Sequence, residues 1–436
     1  MISMREQEHQ ILEEEYENSA VPVEARKSVF SVSLVWVGFP MIMTSAVTGA
    51  AIVGGLGFWS GMLSILIGNL ILFGYVGVLA MLSANKGYNF SLQSAITFGS
   101  KGARVVSGLL STLVIGWFAV QTGLTGSSMH DAFGSSALLI TLIAGVLYIV
   151  LTLFGVKALT YIGAVSAPFF FLIGLWAVYD ATSNSGFSSI TGFKGTGTIS
   201  MGIAVTMVIS LFADSGTMAA DFNRWSRNKK QALAATFTAF PLACMIAMVF
   251  GGLIAAAASR NSDLFQYIAG KGGAVAFVSV LLLFLNLGSV CAHCLYNASV
   301  GWSSLTGRKM RGTAVVLGVI GTILAVSGAW NHFTDWLNLL GIIVPPIGAV
   351  ILCDQLFLRR EADISRTVRI SAFAAWVVGA LVGLIVDRFA PFLSTAVMSM
   401  LAGGLSYVIV TLTTANSSAA AEPGSKLIMD PAQKQS

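Results

Sequence analysis

The sequence carries little charge: Asp, Glu, Lys and Arg make up 10% of its 436 residues, whereas about a quarter is usual in soluble domains. Between Arg104 and Lys157 the only formally charged residue is Asp131. A helix needs about 20 apolar residues to cross the hydrocarbon core of a membrane, so this interval alone is long enough for two spans. The scarcity of charge argues against a soluble enzyme and predicts a multi-spanning membrane protein.

Cysteine and histidine are also rare, with four residues of each. Cys291 and Cys294 form one CxxC inside an apolar segment, where they are expected to be small packing residues, and no second CxxC supplies a metal site. The chain lacks an HExxH motif. We therefore expect no metal, no cofactor and no catalytic residue.

The basic residues do not form a patch, although the pI is near 9.0 and the net charge is +5. They lie one to four per loop, which argues against a nucleic-acid partner and makes them topology signals. The acidic N-terminus, with six glutamates before residue 18, is unlike the basic start of a secretory signal. Cleavage is therefore not expected.

Hydropathy predicts an all-α protein of about twelve membrane helices. We number them spans one to twelve: 29–54, 58–84, 103–128, 136–156, 159–180, 198–220, 231–258, 273–300, 312–330, 335–357, 370–386 and 391–413. With the tails and even-numbered connections on one side, that side has 20 of the 24 Lys and Arg residues. The positive-inside rule then predicts a multi-pass protein of the cytoplasmic (inner) membrane with both termini inside.

Three regions follow from these spans. Residues 1–28 form a cytoplasmic N-terminal tail, residues 29–414 the transmembrane domain, and residues 415–436 a C-terminal tail. That tail is small and polar, and it is expected to be disordered and cytoplasmic. Contact with membrane lipid follows from the spans, whereas the sequence leaves the oligomeric state open between a monomer and an unknown oligomer.

Two spans are interrupted at mid-membrane depth. Span one contains Pro40, which removes a backbone donor and breaks or kinks a helix. Span six contains an acid beside hydroxyls and glycine, in the segment 212–217. Breaks five spans apart are typical of an inverted five-plus-five repeat with discontinuous helices one and six and the substrate site between the repeats. This is the pattern of a secondary transporter, and spans eleven and twelve are then two extra C-terminal helices.

Asp214 is the central candidate of the span-six break. An acid in mid-membrane is costly and usually marks a ligand or proton pathway. Its carboxylate can accept two N–H bonds from the edge of a base, or take up the coupling proton, or cap a half-helix. The sequence alone leaves these three roles open.

Other candidates lie near the same depth. Trp117 and Phe212 are predicted to hold a flat ring between them, and Ser215 adjoins Asp214. Asn286 and Ser289 share one face of span eight and could direct oxygens toward an ion or ligand. His293 is predicted to be either a proton relay or a hydrogen bonder between helices.

At these positions the chain resembles the nucleobase-cation-symport-1 family, closest to its bacterial cytosine permease branch. The resemblance covers about residues 20 to 412. The matching segments are 25–27 (Ala-Arg-Lys), 67–70 (Ile-Gly-Asn-Leu), 116–118 (Gly-Trp-Phe), 215–217 (Ser-Gly-Thr), 220–222 (Ala-Asp-Phe) with Arg224, 285–286 (Leu-Asn), 295–296 (Leu-Tyr), Gly301, and 345–348 (Pro-Pro-Ile-Gly) with Asp354.

The resemblance implies a LeuT-like inverted repeat with a heterocycle stacked between Trp117 and Phe212. It also implies that sodium-coupled members hold the cation at positions matching Gly38 and Ile42 of span one and Asn286 and Ser289 of span eight. These residues are therefore the predicted cation ligands, with Trp117, Phe212, Asp214, Ser215, Cys291 and Asn286 as the predicted substrate ligands.

This chain departs from the cytosine branch at three substrate positions. Val114 and Cys291 stand where that branch has a glutamine and an asparagine, and Asp214 stands where it has a serine. Losing two amides and gaining a carboxylate favours a base with more N–H donors than cytosine. Val290 replaces a second span-eight hydroxyl of sodium-coupled members, so sodium affinity should be weakened and proton coupling through Asp214 or His293 becomes an alternative.

The function predicted from the sequence is cation-coupled import of a purine or pyrimidine base, with H⁺ or Na⁺ as the coupling ion. Two transport alternatives remain open: an amine or amino-acid carrier in which Asp214 pairs with an ammonium, and a carrier of allantoin- or hydantoin-type heterocycles. An intramembrane enzyme using Ser215 and His293 is disfavoured because Ser215 lacks a Gly-x-Ser-Gly setting.

Overall fold

The computed structural model describes residue 16 and residues 18–183, 185–258, 263–358 and 367–420. Several predictions lie outside these residues: most of the acidic N-terminal tail, the C-terminal tail from residue 421, and the basic residues Arg5, Arg260, Arg359, Arg360, Arg366, Lys426 and Lys434. Within the described chain the last helix continues to Ala420, six residues beyond residue 414, where the transmembrane domain was predicted to end.

The protein is all-helical, and its helices correspond to the twelve predicted spans. Eight described helices are long and apolar enough to cross a membrane, and one bent pair adds a ninth. Three shorter apolar helices supply spans four, six and nine. The long helices are Phe58–Lys86, Ser100–Phe133, Gly155–Ser183, Lys229–Ala257, Gly273–Thr306, Ala329–Phe357, Ile370–Phe389 and Thr395–Thr414 within Thr395–Ala420, and the shorter ones are Ala137–Thr152, Met201–Ser210 and Met310–Val326.

Span one is broken where the proline predicts it. It consists of Val29–Gly38 and Met43–Leu56, which are bent by 56° relative to each other. Span six is divided into Met201–Ser210, Ala213–Thr217 and Ala220–Asn223. Both predicted breaks are therefore present, five spans apart.

The packing of the helices has the symmetry of an inverted repeat. Span one packs on spans five and seven, and span six packs on spans ten and two. In a five-plus-five repeat span six is equivalent to span one, span ten to span five, and span two to span seven, so the two sets of contacts correspond. Span three packs on span eight and span four on span nine. Spans eleven and twelve pack on each other and on span ten, outside this pattern. The five-plus-five fold with two extra helices is thus confirmed.

Small residues allow the closest helix contact beside the first break. At Gly49 of span one an added Cβ would collide with the backbone of Met248 in span seven, and at Gly251 it would collide with the backbone of Ala46. Small residues at helix interfaces let backbones approach in membranes, where no hydrophobic force drives helices together. The glycine-rich stretch after Pro40 therefore locks the second half of span one against span seven.

The outer surface is apolar. Leu138, Val146, Val319, Ile323 and Leu384, on spans four, nine and eleven, are each at least 49% exposed. On a soluble protein such a large exposed apolar surface would indicate a binding face. Here the exposed apolar residues lie on helices that are long enough to span a membrane. The surface fits a lipid environment, and the polar side chains are collected in the interior.

Candidate functional site

The break in span one is bridged by a side chain from span eight. Asn286 accepts a hydrogen bond from the backbone N–H of Met43 at 2.7 Å and donates one to the carbonyl oxygen of Met41 at 2.8 Å. Its amide also approaches the hydroxyl of Ser166 in span five at 3.4 Å. Because an unwound segment leaves backbone groups without helical partners, Asn286 stabilises the break by supplying both a donor and an acceptor.

Ser289 lies one turn further along the same face and meets the other edge of the break. Its hydroxyl donates to the carbonyl oxygen of Gly38 at 2.7 Å. Ile42 is 1% exposed and lies between the two backbone groups that Asn286 binds. The structure thus collects Gly38, Ile42, Asn286 and Ser289 at one junction of spans one and eight, where cation binding remains a prediction.

His293 lies at the same junction, one turn beyond Ser289. Its Nδ1 is 2.7 Å from the carbonyl oxygen of Ser289, and its Nε2 is 3.0 Å from that of Val35 in span one. The ring stacks on Phe39 with centroids 5.1 Å apart. These contacts fit the hydrogen bonder between helices that the sequence proposed, while the proton-relay role stays a prediction.

Asp214 is fully buried in the short helix Ala213–Thr217. Its Oδ1 accepts the backbone N–H of Ser215 at 2.7 Å and faces the Ser215 hydroxyl at 3.4 Å. Its Oδ2 has no hydrogen-bond partner. The N-cap residue of this half-helix is Phe212, and the Oδ1 bond goes to the residue directly after Asp214 inside the helix. This contact is therefore not a helix cap, and the capping role stays a prediction.

Trp117 of span three directs a second unsatisfied group toward this carboxyl. Its buried indole N–H lies near the Asp214 carboxyl and interacts with it, although the two groups do not meet the geometry of a hydrogen bond. A buried polar group left unpaired costs about 1–3 kcal/mol. The donor and the acceptor lie near each other, and a polar ligand that binds both stays a prediction.

The predicted aromatic pair is buried but not stacked together. Trp117 contacts Phe333 of span ten edge-on, with centroids 6.1 Å apart. Phe212 packs edge-on against Phe39 at 5.2 Å. The two predicted rings occupy separate aromatic clusters, and a flat ligand between them remains a prediction.

Cys291 faces span three rather than the unsatisfied groups. Its sulfur lies 3.6 Å from the hydroxyl of Thr122 and 3.9 Å from the carbonyl oxygen of Phe118. Val114 is also fully buried, in span three. The interior at Val114 and Cys291 is therefore less polar than it would be with the glutamine and asparagine of the cytosine branch. The role of Cys291 as a substrate ligand therefore stays a prediction.

Gln121 is a polar residue of this region that the sequence analysis missed. It lies one turn after Trp117 on span three, is 1% exposed, and accepts a hydrogen bond from the Thr44 hydroxyl at 2.9 Å. Thr44 follows the break in span one. The i, i+4 spacing from Trp117 was the available signal, since it places both side chains on one helix face.

Arg224 is fully buried at the end of span six. This guanidinium donates to the carbonyl oxygen of Tyr16 at 2.7 Å and faces the Tyr296 hydroxyl at 3.4 Å. Phe222 stacks on Tyr296 with centroids 6.1 Å apart. Trp117, Phe212 and Asp214 are all at most 3% exposed, so the candidate site is buried in this structure.

A twelve-helix inverted repeat with two broken spans and unsatisfied polar groups buried between them defines a membrane transporter and not an enzyme. The chain matches the family model described as permease for cytosine/purines, uracil, thiamine and allantoin over residues 20–410. It belongs to this permease family, and the resemblance predicted from the sequence is confirmed. It is accordingly a carrier of nucleobase-like heterocycles.

Individual comparisons agree with this assignment. The cytosine permease of Escherichia coli K12 is 29% identical over 398 residues, which cover 91% of this chain and 94% of that protein. Among solved structures, Mhp1, a nucleobase-cation-symport-1 family transporter in a closed conformation with bromovinylhydantoin bound, has a TM-score of 0.79 at 15% identity and covers 92% of this chain and 96% of its own. A Na⁺-coupled sialic acid symporter has a TM-score of 0.68 at 12% identity and covers 89% of this chain and 90% of its own. These two structures bear on the fold alone.

Proposed function

We propose that this protein imports a purine or pyrimidine base across the cytoplasmic membrane, coupled to H⁺ or Na⁺. The observation that carries the proposal is the pair of unsatisfied groups at the break in span six, Oδ2 of Asp214 and Nε1 of Trp117. A base edge presents N–H donors beside ring nitrogen or carbonyl acceptors, so one ligand satisfies both groups. Charge-assisted bonds to a carboxylate are about twice as strong as neutral ones.

The departures from the cytosine branch narrow the cargo. Val114 and Cys291 supply no amide, while Asp214 adds an acceptor. A base with more N–H donors than cytosine fits these three side chains. The E. coli relatives are cytosine permeases, so cytosine belongs in any test as the reference substrate.

The junction of spans one and eight supports cation coupling. Gly38 and Ile42 contribute backbone carbonyl groups and Ser289 a hydroxyl, whereas Val290 contributes no oxygen. Hard cations require several oxygen ligands, so weak sodium binding or coupling to protons through Asp214 or His293 follows. The excess of Lys and Arg residues on the side of the two termini supports an orientation with both termini in the cytoplasm.

Uptake of radiolabelled bases in a strain that lacks its own base permeases tests the proposal. We expect uptake of at least one base above the empty-vector level, and loss or a change of base preference in Asp214→Asn. Asp131→Asn is the matched control because Asp131 is exposed at the end of span three. Uptake at the empty-vector level across the panel would refute the function, and competition by amines rather than bases would select an amine carrier.

A further inference from the structure

A basic cavity lies between the end of span two and the start of span seven, and none of its lining residues belongs to the candidate site. Its volume is about 410 Å³, and four of its seven lining residues are basic: Arg26, Arg227, Lys229 and Lys230, together with Ala84, Asn85 and Asn228. No carboxylate is among these lining residues. The cavity is formed by the segment before span one, the end of span two and the connection from span six to span seven.

The chain holds one of these charges in place. Arg26 donates from Nη1 to the carbonyl oxygen of Ala84 at 2.8 Å and from Nε to that of Val21 at 3.3 Å. Both partners are neutral, so they orient the guanidinium without neutralising it. Glu24 is the acid near enough to Arg26 to interact with its charge, and it does not line the cavity.

Four like charges around one cavity repel each other, and an anion between them removes that repulsion. Guanidinium and ammonium groups are the usual partners of phosphate oxygens. The lining lysines begin the helix Lys229–Phe237, whose N-terminal dipole also favours negative charge. The volume lies within the range of small-ligand sites, about 300–1,000 Å³.

We propose that this cavity binds the phosphate of an anionic phospholipid headgroup. It lies where span two ends and span seven begins, and basic pockets at the ends of membrane helices bind anionic headgroups. The backbone N–H of Lys27 donates to the carbonyl oxygen of Trp225 at 2.7 Å. A headgroup bound in the cavity contacts both the N-terminal segment, through Arg26, and the connection after span six, through Arg227 and Lys229. These are the two segments that this backbone bond already joins.

Binding to purified full-length protein tests this proposal independently of transport. Phosphatidylglycerol is titrated in mixed micelles against phosphatidylcholine, with the shift in melting temperature as the readout. We expect Lys229→Gln/Lys230→Gln to bind phosphatidylglycerol roughly 30-fold more weakly than wild type, given the contribution of each basic residue near an anionic surface. Lys101→Gln/Arg104→Gln removes two exposed charges elsewhere and should retain the wild-type affinity.

Two results would overturn the proposal. Equal affinities in the two double variants would show that general surface charge, and not this cavity, attracts the lipid. Equal stabilisation by inorganic phosphate in phosphatidylcholine alone would assign the cavity to a free anion and exclude the headgroup as its source. Melting curves in phosphatidylcholine without anion establish that each variant is folded before the titration.

Discussion

The side-chain oxygen of Asn286 accepts the backbone N–H of Met43 at 2.7 Å, although the two residues are 243 positions apart. With the bond from its amide nitrogen to Met41, this contact ties span eight to the first residue of a half-helix in span one. Alternating access in inverted-repeat carriers moves one group of helices relative to another. The Asn286 contact is therefore a place where such a movement can be tested.

Replacing Asn286 should destabilise the break. Asn286→Ala leaves the N–H of Met43 and the carbonyl of Met41 buried without this partner, at a cost of about 1–3 kcal/mol. The melting temperature in detergent should fall, whereas Asn331→Ala, at an exposed position, should leave it unchanged. Equal melting temperatures for the two variants would show that the bridge does not hold the break.

The contact between spans one and seven can be tested with two glycines of the same helix. Gly49→Ala places a methyl group against the backbone of Met248, and overpacking of this kind costs about 1–3 kcal/mol. Gly54 has open space around its added Cβ, so Gly54→Ala should be neutral or stabilising by up to about 1 kcal/mol. Melting temperatures of the two variants should move in opposite directions or at least differ clearly; a loss at both positions would contradict the packing argument.

The coupling ion can be examined by adding an oxygen at the junction. Val290→Thr supplies a hydroxyl next to Ser289, so sodium should stimulate base uptake at lower concentrations than in wild type. Ser289→Ala should have the opposite effect or abolish stimulation. The readout is uptake against sodium at constant ionic strength, with choline as the replacement, and a sodium response unaltered in both variants would remove this junction from the cation pathway.

The contribution of the indole N–H of Trp117 to substrate binding can be measured separately from that of its aromatic ring. Trp117→Phe retains an aromatic surface but removes the unsatisfied donor beside Asp214. Losing one hydrogen bond of about 1–1.5 kcal/mol should raise the KM for base uptake roughly tenfold. Trp59→Phe is the control because Trp59 is 69% exposed, and a KM that is equal in both variants would show that the indole N–H does not bind the substrate.

Much of the fold could be predicted because apolar run length and proline position are local features of the chain. Pro40 placed the break of span one, and the polar segment at Asp214 placed that of span six. Span ends were less predictable: span three runs from Ser100 to Phe133 instead of 103–128, since polar residues in its last turns lowered the hydropathy.

Contacts between distant residues could not be predicted from local pattern. Nothing around Asn286 indicates that its amide binds both edges of a break in span one, and Gln121 is linked to Thr44 only through tertiary packing. The aromatic clusters of Trp117 and Phe212 likewise depend on spans ten and one. The positions of the two breaks followed from the sequence, whereas the hydrogen bonds around them required the structure.

The central claim is that the Asp214 and Trp117 groups bind a nucleobase, and ligand-dependent melting of the purified protein tests it most directly. A panel of bases is measured with and without sodium and at two pH values, in wild type and Asp214→Asn. A ligand at 100 times its Kd stabilises a folded protein by about 2.7 kcal/mol, so at least one base should raise the wild-type melting temperature and lose this effect in Asp214→Asn. Stabilisation that is the same in both proteins, or absent for every base under every condition, would contradict the account.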